Sequence, residues 1–192
     1  MSCTVDNQIS VAARWLPRGP TVLALVAWSE VAREKRQIEL PERRTKNGRA
    51  HIVPVSNEAL AIFEGTPRRD GRDLVFGIGS GGFGGWSKAK SEMDARIAGS
   101  RKVAGIKQPM SPWTLHDLRR SFVTHISEHG FAQPHVVEAI VNHVSGAKAG
   151  VAGVYNRAAY AADKRQALEL WGAHVAALVA GTTSNVVSMR MK

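Results

Sequence analysis

Trp113-Thr114-Leu115-His116-Asp117-Leu118-Arg119-Arg120-Ser121-Phe122-Val123-Thr124-His125 carries a helix start and a His-x-x-Arg pair within one short segment. Thr114 has the side chain of a helix N-cap, because its oxygen is able to accept a free backbone N–H of the first turn. A helix that begins there sets His116 and Arg119 on one face, since residues three apart are neighbours on its surface. The N–H groups of a helix start favour an anion, and a phosphate is the guest that fits. A surface helix with a solvated histidine and two arginines has the same local pattern, so the choice between them rests on the rest of the chain.

The bulk properties narrow the partners. At 192 residues the chain is long enough for one domain with a proper core. Its net charge of +10 and isoelectric point near 10.4 are the footprint of a polyanion partner, most economically nucleic acid. Cys3 is the single cysteine, so neither a disulfide framework nor a cysteine zinc site is available, and a reducing interior is implied. The longest apolar run, Val22 to Trp28, is far short of the roughly 20 residues that span a bilayer, and Met1 to Asp6 lacks the basic start of a signal peptide. These features point to a cytoplasmic protein with no membrane partner.

Val22 to Trp28 reads equally as a short buried helix opening at Pro20 or as a buried strand. Gln37-Ile38-Glu39-Leu40 alternates polar and apolar, and His51-Ile52-Val53-Pro54-Val55 is rich in β-branched residues. Asn47-Gly48 between them is a hairpin signal that sets Lys46 beside a turn, in a basic stretch that also holds Arg43, Arg44 and Arg49. Asn57 to Glu64 reads as a helix capped by Asn57, and Leu74-Val75-Phe76 as a strand. Gly77 to Gly85 lacks the Gly-Lys-Ser/Thr ending of a phosphate loop and reads as a flexible connection. Trp86 to Ile97 is a helix with Ala89, Met93 and Ile97 on one stripe, followed by a loop from Gly99 to Ser111. Gly130 ends the helix begun at Thr114, and Pro134 opens another with Val136, Val137, Ile140 and Val141 as its core face. Ala161 to Leu178 is a long helix with Leu168, Trp171 and Val175 on one side. The expected fold is α+β, mainly helical, with a small antiparallel sheet around residues 37–55 and 74–76.

Five segments then fall in a telling order: Arg-Thr-Lys-Asn-Gly (44–48), Gly-Trp-Ser-Lys-Ala-Lys (85–90), Trp-Thr-Leu-His-Asp-Leu-Arg-Arg (113–120), Asn-His-Val-Ser-Gly (142–146) and Gly-Val-Tyr-Asn-Arg (153–157). Their wording and order resemble the tyrosine recombinase, or phage integrase, family over roughly Trp28 to Val175. The resemblance implies cutting and rejoining of double-stranded DNA through a 3′-phosphotyrosine, with no cofactor, no metal and no nucleotide. It implies Tyr155 as nucleophile, Arg119 as clamp on the non-bridging oxygens, His116 and His143 as donors or proton shuttles, and Lys46 as the acid for the departing 5′-oxygen. Arg43, Arg44, Arg49, Lys88 and Arg120 are the expected DNA-binding cations. Tyr160 is the competing phenol, disfavoured by the Val-Tyr-Asn-Arg wording around Tyr155. Work on DNA as a homo-oligomer, in the bacterial or phage setting of a mobile genetic element, is part of the same implication.

The family's opening phrase, Thr-Gly-x-Arg-x-x-Glu, has no match. By register with Trp28 its arginine falls on Gly19 and its glutamate on Val22, leaving Arg18, one residue out, as the candidate first arginine. The helical region with which family members encircle DNA also has no counterpart. The expected division is an atypical segment 1–27, an integrase-like catalytic domain 28–180 and a mobile tail 181–192. A truncated or impaired recombinase and a non-cleaving DNA-binding remnant both fit. A metal hydrolase using His116, His125, His129, His135 and His143 is a third class, without His-Glu-x-x-His or carboxylate-rich spacing to support it.

Overall fold

The polar–apolar alternation of residues 37–40 becomes a strand whose Ile38 and Leu40 are buried while Gln37 and Glu39 lie nearer the surface. It is the centre of a three-stranded antiparallel sheet: β1 (Val31–Ala32), β2 (Gln37–Leu40) and β3 (His51–Pro54). Ile38 faces Val31 on one side and Val53 on the other. A computed structural model provides this description, which covers residues 20–45, 48–142 and 160–182. Around the sheet stand six α-helices among the described residues: α1 (Pro20–Ala24), α2 (Asn57–Glu64), α3 (Trp86–Val103), α4 (Leu115–Glu128), α5 (Pro134–Val141) and α6 (Ala161–Ala180). The fold is therefore α+β with a small antiparallel sheet, as the sequence pattern implies. None of the helices is long and apolar enough to cross a membrane.

Four local expectations are corrected. Residues 74–76 do not join the sheet: Leu74 forms an isolated bridge with Ala27, and the Val75 N–H donates to the Val26 carbonyl at 2.9 Å. Trp28–Glu30 turns as a short 3₁₀ helix straight after that pairing, and the sheet's third strand is the two-residue β1 instead. The pairing of β2 with β3 ends at Leu40 and His51, so residues 41–50 and not Asn47-Gly48 alone separate the two strands; Gly48 takes the left-handed conformation, with φ at +62°, and Asn47 lies outside the described residues. Ser56, not Asn57, caps α2 by accepting the Ala59 N–H. Helix α3 runs on to Val103, through residues expected to be loop, because Arg101 and Lys102 favour a helix C-terminus even where no apolar stripe continues.

The glycine-rich segment after Phe76 is tied down. Arg69 donates to the Gly77 carbonyl, and Arg72 donates to the carbonyls of Phe76 and Gly81, at 2.7 and 2.9 Å. The Phe83 N–H donates to the Ala24 carbonyl at 3.0 Å. A Cβ on Gly82 would come within 2.6 Å of that same carbonyl oxygen, so the glycine is needed for the close approach.

Helix α6 closes the core against α2, α4, α5 and β3. Its Leu168, Trp171 and Val175 are buried, and Trp171 meets Phe122 of α4 edge-on with ring centroids 5.3 Å apart. Phe122 is only 2% exposed, so Phe122→Ala removes a ring from a site with no solvent to fill it. We expect a loss of about 3–5 kcal/mol in urea unfolding, against less than about 1.5 kcal/mol for a conservative apolar exchange at a half-buried position such as Leu60.

Beside this contact His125, His129 and His174 pack with Trp171 and Phe131, the His129 and His174 rings 4.8 Å apart. Burial, followed by repulsion from His129 and His125, holds His174 below the ordinary histidine value. An unfolded chain takes up that proton near pH 6.5, while the folded chain resists it. Stability should accordingly be complete above about pH 6.5 and fall as the pH drops toward 5. Urea midpoints measured across that range should flatten in His174→Leu; an unchanged slope would remove His174 as its source.

Candidate nucleic-acid interface

Helix α4 begins where the sequence indicates, with Thr114 extended at the N-cap and Asp117 closing a capping box with it. The Asp117 carboxylate accepts both the Thr114 backbone N–H and the Thr114 hydroxyl, each at 2.8 Å. These two donors, with Arg120 at 3.2 Å adding to them, hold the Asp117 carboxyl below the usual carboxylate range. A negative charge therefore already sits at the helix start. Any anion bound nearby has to be gripped by side chains rather than by the helix terminus alone.

Two such side chains stand on the first turns of α4. His116 is exposed to solvent, and Arg119 is half-buried. The Arg119 guanidinium donates to the Val141 carbonyl, in the last turn of α5, at 2.8 Å. Among the described residues it has no ion pair, and burial disfavours its charge. A half-buried cation of this kind, with donors left over and no carboxylate partner among the described residues, suits an external oxyanion, for which a planar guanidinium offers paired donors. Helix α5 ends one residue beyond Val141, at Asn142 in the left-handed conformation. Arg119 is thus tied to the chain just ahead of His143.

His143, Lys46 and Tyr155, together with Arg18 and Gly19, lie outside the described residues, as do the expected tail from 183 and most of the segment 1–27. The loop flanking Lys46 is described on both sides. The Thr45 hydroxyl donates to the Arg49 carbonyl at 2.7 Å and accepts the Arg49 N–H at 3.0 Å, closing the loop at its neck. Arg43 and Arg49 are exposed there. Arg44 is not: its guanidinium pairs with Glu30 at 3.3 Å and donates to the Leu25 carbonyl at 2.7 Å. That pair fastens the loop to the segment ahead of the sheet and withdraws Arg44 from the set of surface cations. Glu30 is itself buried, and its other oxygen accepts the Ala27 N–H at 3.1 Å. A lone acid in the apolar run Val26 to Val31 was the sequence signal for this partner.

The remaining expected cations are at the surface. Lys88 is exposed on α3, 4.0 Å from Glu92, and Arg120 is exposed beside Asp117. Trp28 carries two further arginines, Arg33 and Arg68, stacked at 5.1 and 4.8 Å from its ring. Val22, at the position expected for the glutamate, is an apolar side chain packed against the core. Tyr160 opens α6 with φ at +47°, its ring 4.8 Å from that of His135. Of the histidines of the metal reading, the four described ones do not converge: His125 and His129 belong to the aromatic cluster, His135 sits against Tyr160, and His116 is exposed on the first turn of α4. No three ligating side chains come together among the described residues.

Comparison with known proteins agrees with the resemblance seen in the motifs. The chain is 30% identical over 165 residues to prophage integrase IntA of Escherichia coli (strain K12), covering 85% of the chain and 37% of that protein. It is 28% identical over 159 residues to prophage integrase IntZ of the same organism, covering 83% of the chain and again 37% of the relative. The chain thus spans little more than a third of the length of these relatives. No solved structure matches it. The Phage integrase family matches residues 23–161, most of the 192-residue chain, and takes in every segment from the sheet to the start of α6: the protein belongs to the phage integrase family.

Proposed function

We propose that this chain is the catalytic domain of a site-specific DNA recombinase, running from about residue 28 to 180, which grips a DNA phosphate with Arg119 and His116. The observation that carries the reading is the half-buried Arg119 guanidinium, tied to the Val141 carbonyl and without an acidic partner among the described residues. In this reading Tyr155 attacks the phosphorus and forms the 3′-phosphotyrosine. Its proton passes to His116 or His143, and the bond to the 5′-oxygen breaks as Lys46 protonates that oxygen. Arg119 holds the non-bridging oxygens, whose charge grows in the transition state. Arg43, Arg49, Lys88 and Arg120 contact the backbone on either side, and the domain works on DNA as a homo-oligomer.

The binding half of the proposal has a direct test. Each phosphate neutralised releases counterions, so the logarithm of affinity should fall with the logarithm of salt at about −0.9 per contact. With four or five cations engaged, we expect a slope near −4 on duplex DNA, and removal of Arg43 and Arg49 together should bring it near −2. Binding that ignores salt would overturn the assignment. Sequence selectivity should be slight, because these contacts read the backbone and not base edges.

A specific observation favours a second reading, in which the domain binds DNA without cutting it. The first arginine has no residue in register at Gly19, and Val22 packs into the core where the family has an acid. Loss of one transition-state donor slows a step by roughly 10²–10³-fold. We therefore expect no covalent adduct from the unmodified chain on nicked duplexes of randomised sequence, resolved on denaturing gels, while binding persists. Restoring an arginine near Gly19 within a longer chain should produce an adduct that Tyr155→Phe abolishes. An adduct that survives Tyr155→Phe would refute the nucleophile. Ready adduct formation by the unmodified chain would refute the impairment and assign Arg18 or another cation to the gap.

A further inference from the structure

The exposed apolar side chains of this protein are not evenly spread. Val103, Ile106 and Met110 are 91%, 47% and 47% exposed within one short stretch, at the end of α3 and in the segment that returns toward α4. Between that segment and the C-terminal half of α3 lies a groove of about 860 Å³. Its floor is apolar, from Ile97, Ile106, Pro109 and Met110, with Trp113 at one end.

The groove is built and not merely a gap. Gly105, in the left-handed conformation with φ at +71°, turns the chain back on itself. The Ile106 N–H donates to the Arg101 carbonyl at 2.9 Å, and the Arg101 guanidinium donates to the Gln108 carbonyl at 2.7 Å. At the other end the Trp113 indole N–H donates to Asp94 at 3.0 Å while the Lys90 ammonium lies 4.1 Å over the Trp113 ring. Both ends are fastened, and the apolar floor between them is left uncovered.

Charge decides what could cover it. Asp94, the acidic group in the lining, is neutralised by Lys90 at 2.5 Å. Arg101, Lys102 and Lys107 line the same groove and form no ion pair among the described residues. An apolar floor edged by three cations matches a segment that presents apolar side chains on one face and carboxylates beside them. Duplex DNA offers the charge but no apolar side chains to fill the groove. A second copy of a chain carrying +10 brings the wrong charge. We infer that this groove is a docking site for an acidic amphipathic segment of a partner protein, and Arg119 is not among the residues that line it.

The test uses the full chain and three labelled helical peptides of equal length, read by fluorescence anisotropy. One has leucines at i, i+4 and i+7 with glutamates flanking them, the second replaces the glutamates by lysines, and the third replaces the leucines by serines. The acidic amphipathic peptide should bind at least tenfold more tightly than either of the others. Met110→Asp should lose that binding with an unchanged circular dichroism spectrum, since Met110 is half exposed. Lys102→Glu with Lys107→Glu should reverse the preference toward the lysine peptide. Equal binding of all three peptides, or a preference that survives the charge reversal, would overturn the proposal. Displacement of the peptide by short duplex DNA in a Lys102- and Lys107-dependent way would assign the groove to nucleic acid. Self-association in sedimentation that Met110→Asp abolishes would assign it to a second copy. Because the readout is peptide binding, failure of the acidic peptide to bind would leave the recombinase reading untouched.

Discussion

The close approach of helix α6 to the start of α2 is the constraint on which the rest of the packing depends. A Cβ on Gly172 would stand 2.3 Å from the Glu58 carboxylate and 2.8 Å from the Ser56 hydroxyl, so only glycine lets the two elements meet at this distance. One residue earlier, Trp171 reaches across to Phe122 and fixes the side of α4 that faces inward. Earlier still on the same helix, Lys164 donates to the Ile52 carbonyl at 2.9 Å and Arg165 to the Lys35 carbonyl at 2.9 Å, which docks the sheet. Glu169 pairs with Arg36, held at φ +48° in the turn between β1 and β2. A single helix thereby sets the positions of the sheet, of α2 and of α4.

That arrangement explains why Arg119 is half-buried. Phe122 and Ile126 face the core, so Arg119, three residues before Phe122, lies at the edge of the buried side of α4 and not on its outer face. A guanidinium there loses part of its hydration and must recover it from protein or ligand. The Val141 carbonyl supplies one acceptor. A carboxylate in the same place would satisfy the cation internally and leave nothing for a phosphate. Asp117 is the nearest acid in the chain, and Thr114 and Arg120 engage it instead.

Much of this was legible in the residues alone, for identifiable reasons. The start of α4, the core faces of α5 and α6 and the alternation of β2 each repeat with the period of their element, so burial selects a pattern that a reader is able to see. The misses have no period to read. Val31–Ala32 is too short for alternation, and the last turns of α3, beyond Ile97, do not continue its apolar stripe. Leu74 pairs with Ala27 across a long stretch of chain, and the Arg44–Glu30 pair is likewise a contact between separate segments. The Arg119–Val141 contact is likewise tertiary: the motif named the arginine but not its acceptor.

The pair of Arg44 and Glu30 also bears on what holds the loop beside Lys46. A buried carboxylate is costly unless it is paired and hydrogen-bonded, and Glu30 has both a guanidinium and a backbone N–H. The loop that flanks Lys46 is therefore held by the stability of the core and not by DNA. Val22 tells the complementary story: an apolar residue where the family has an acid packs against the core and strengthens it. Selection for folding alone would keep Glu30, Arg44 and Phe122 and would accept Val22. Arg119 is the exception. A half-buried guanidinium without an acidic partner among the described residues gains little for the fold, and an apolar residue would suit its place against α5 at least as well. In the proposed function its place is accounted for by a phosphate that arrives from outside the folded chain.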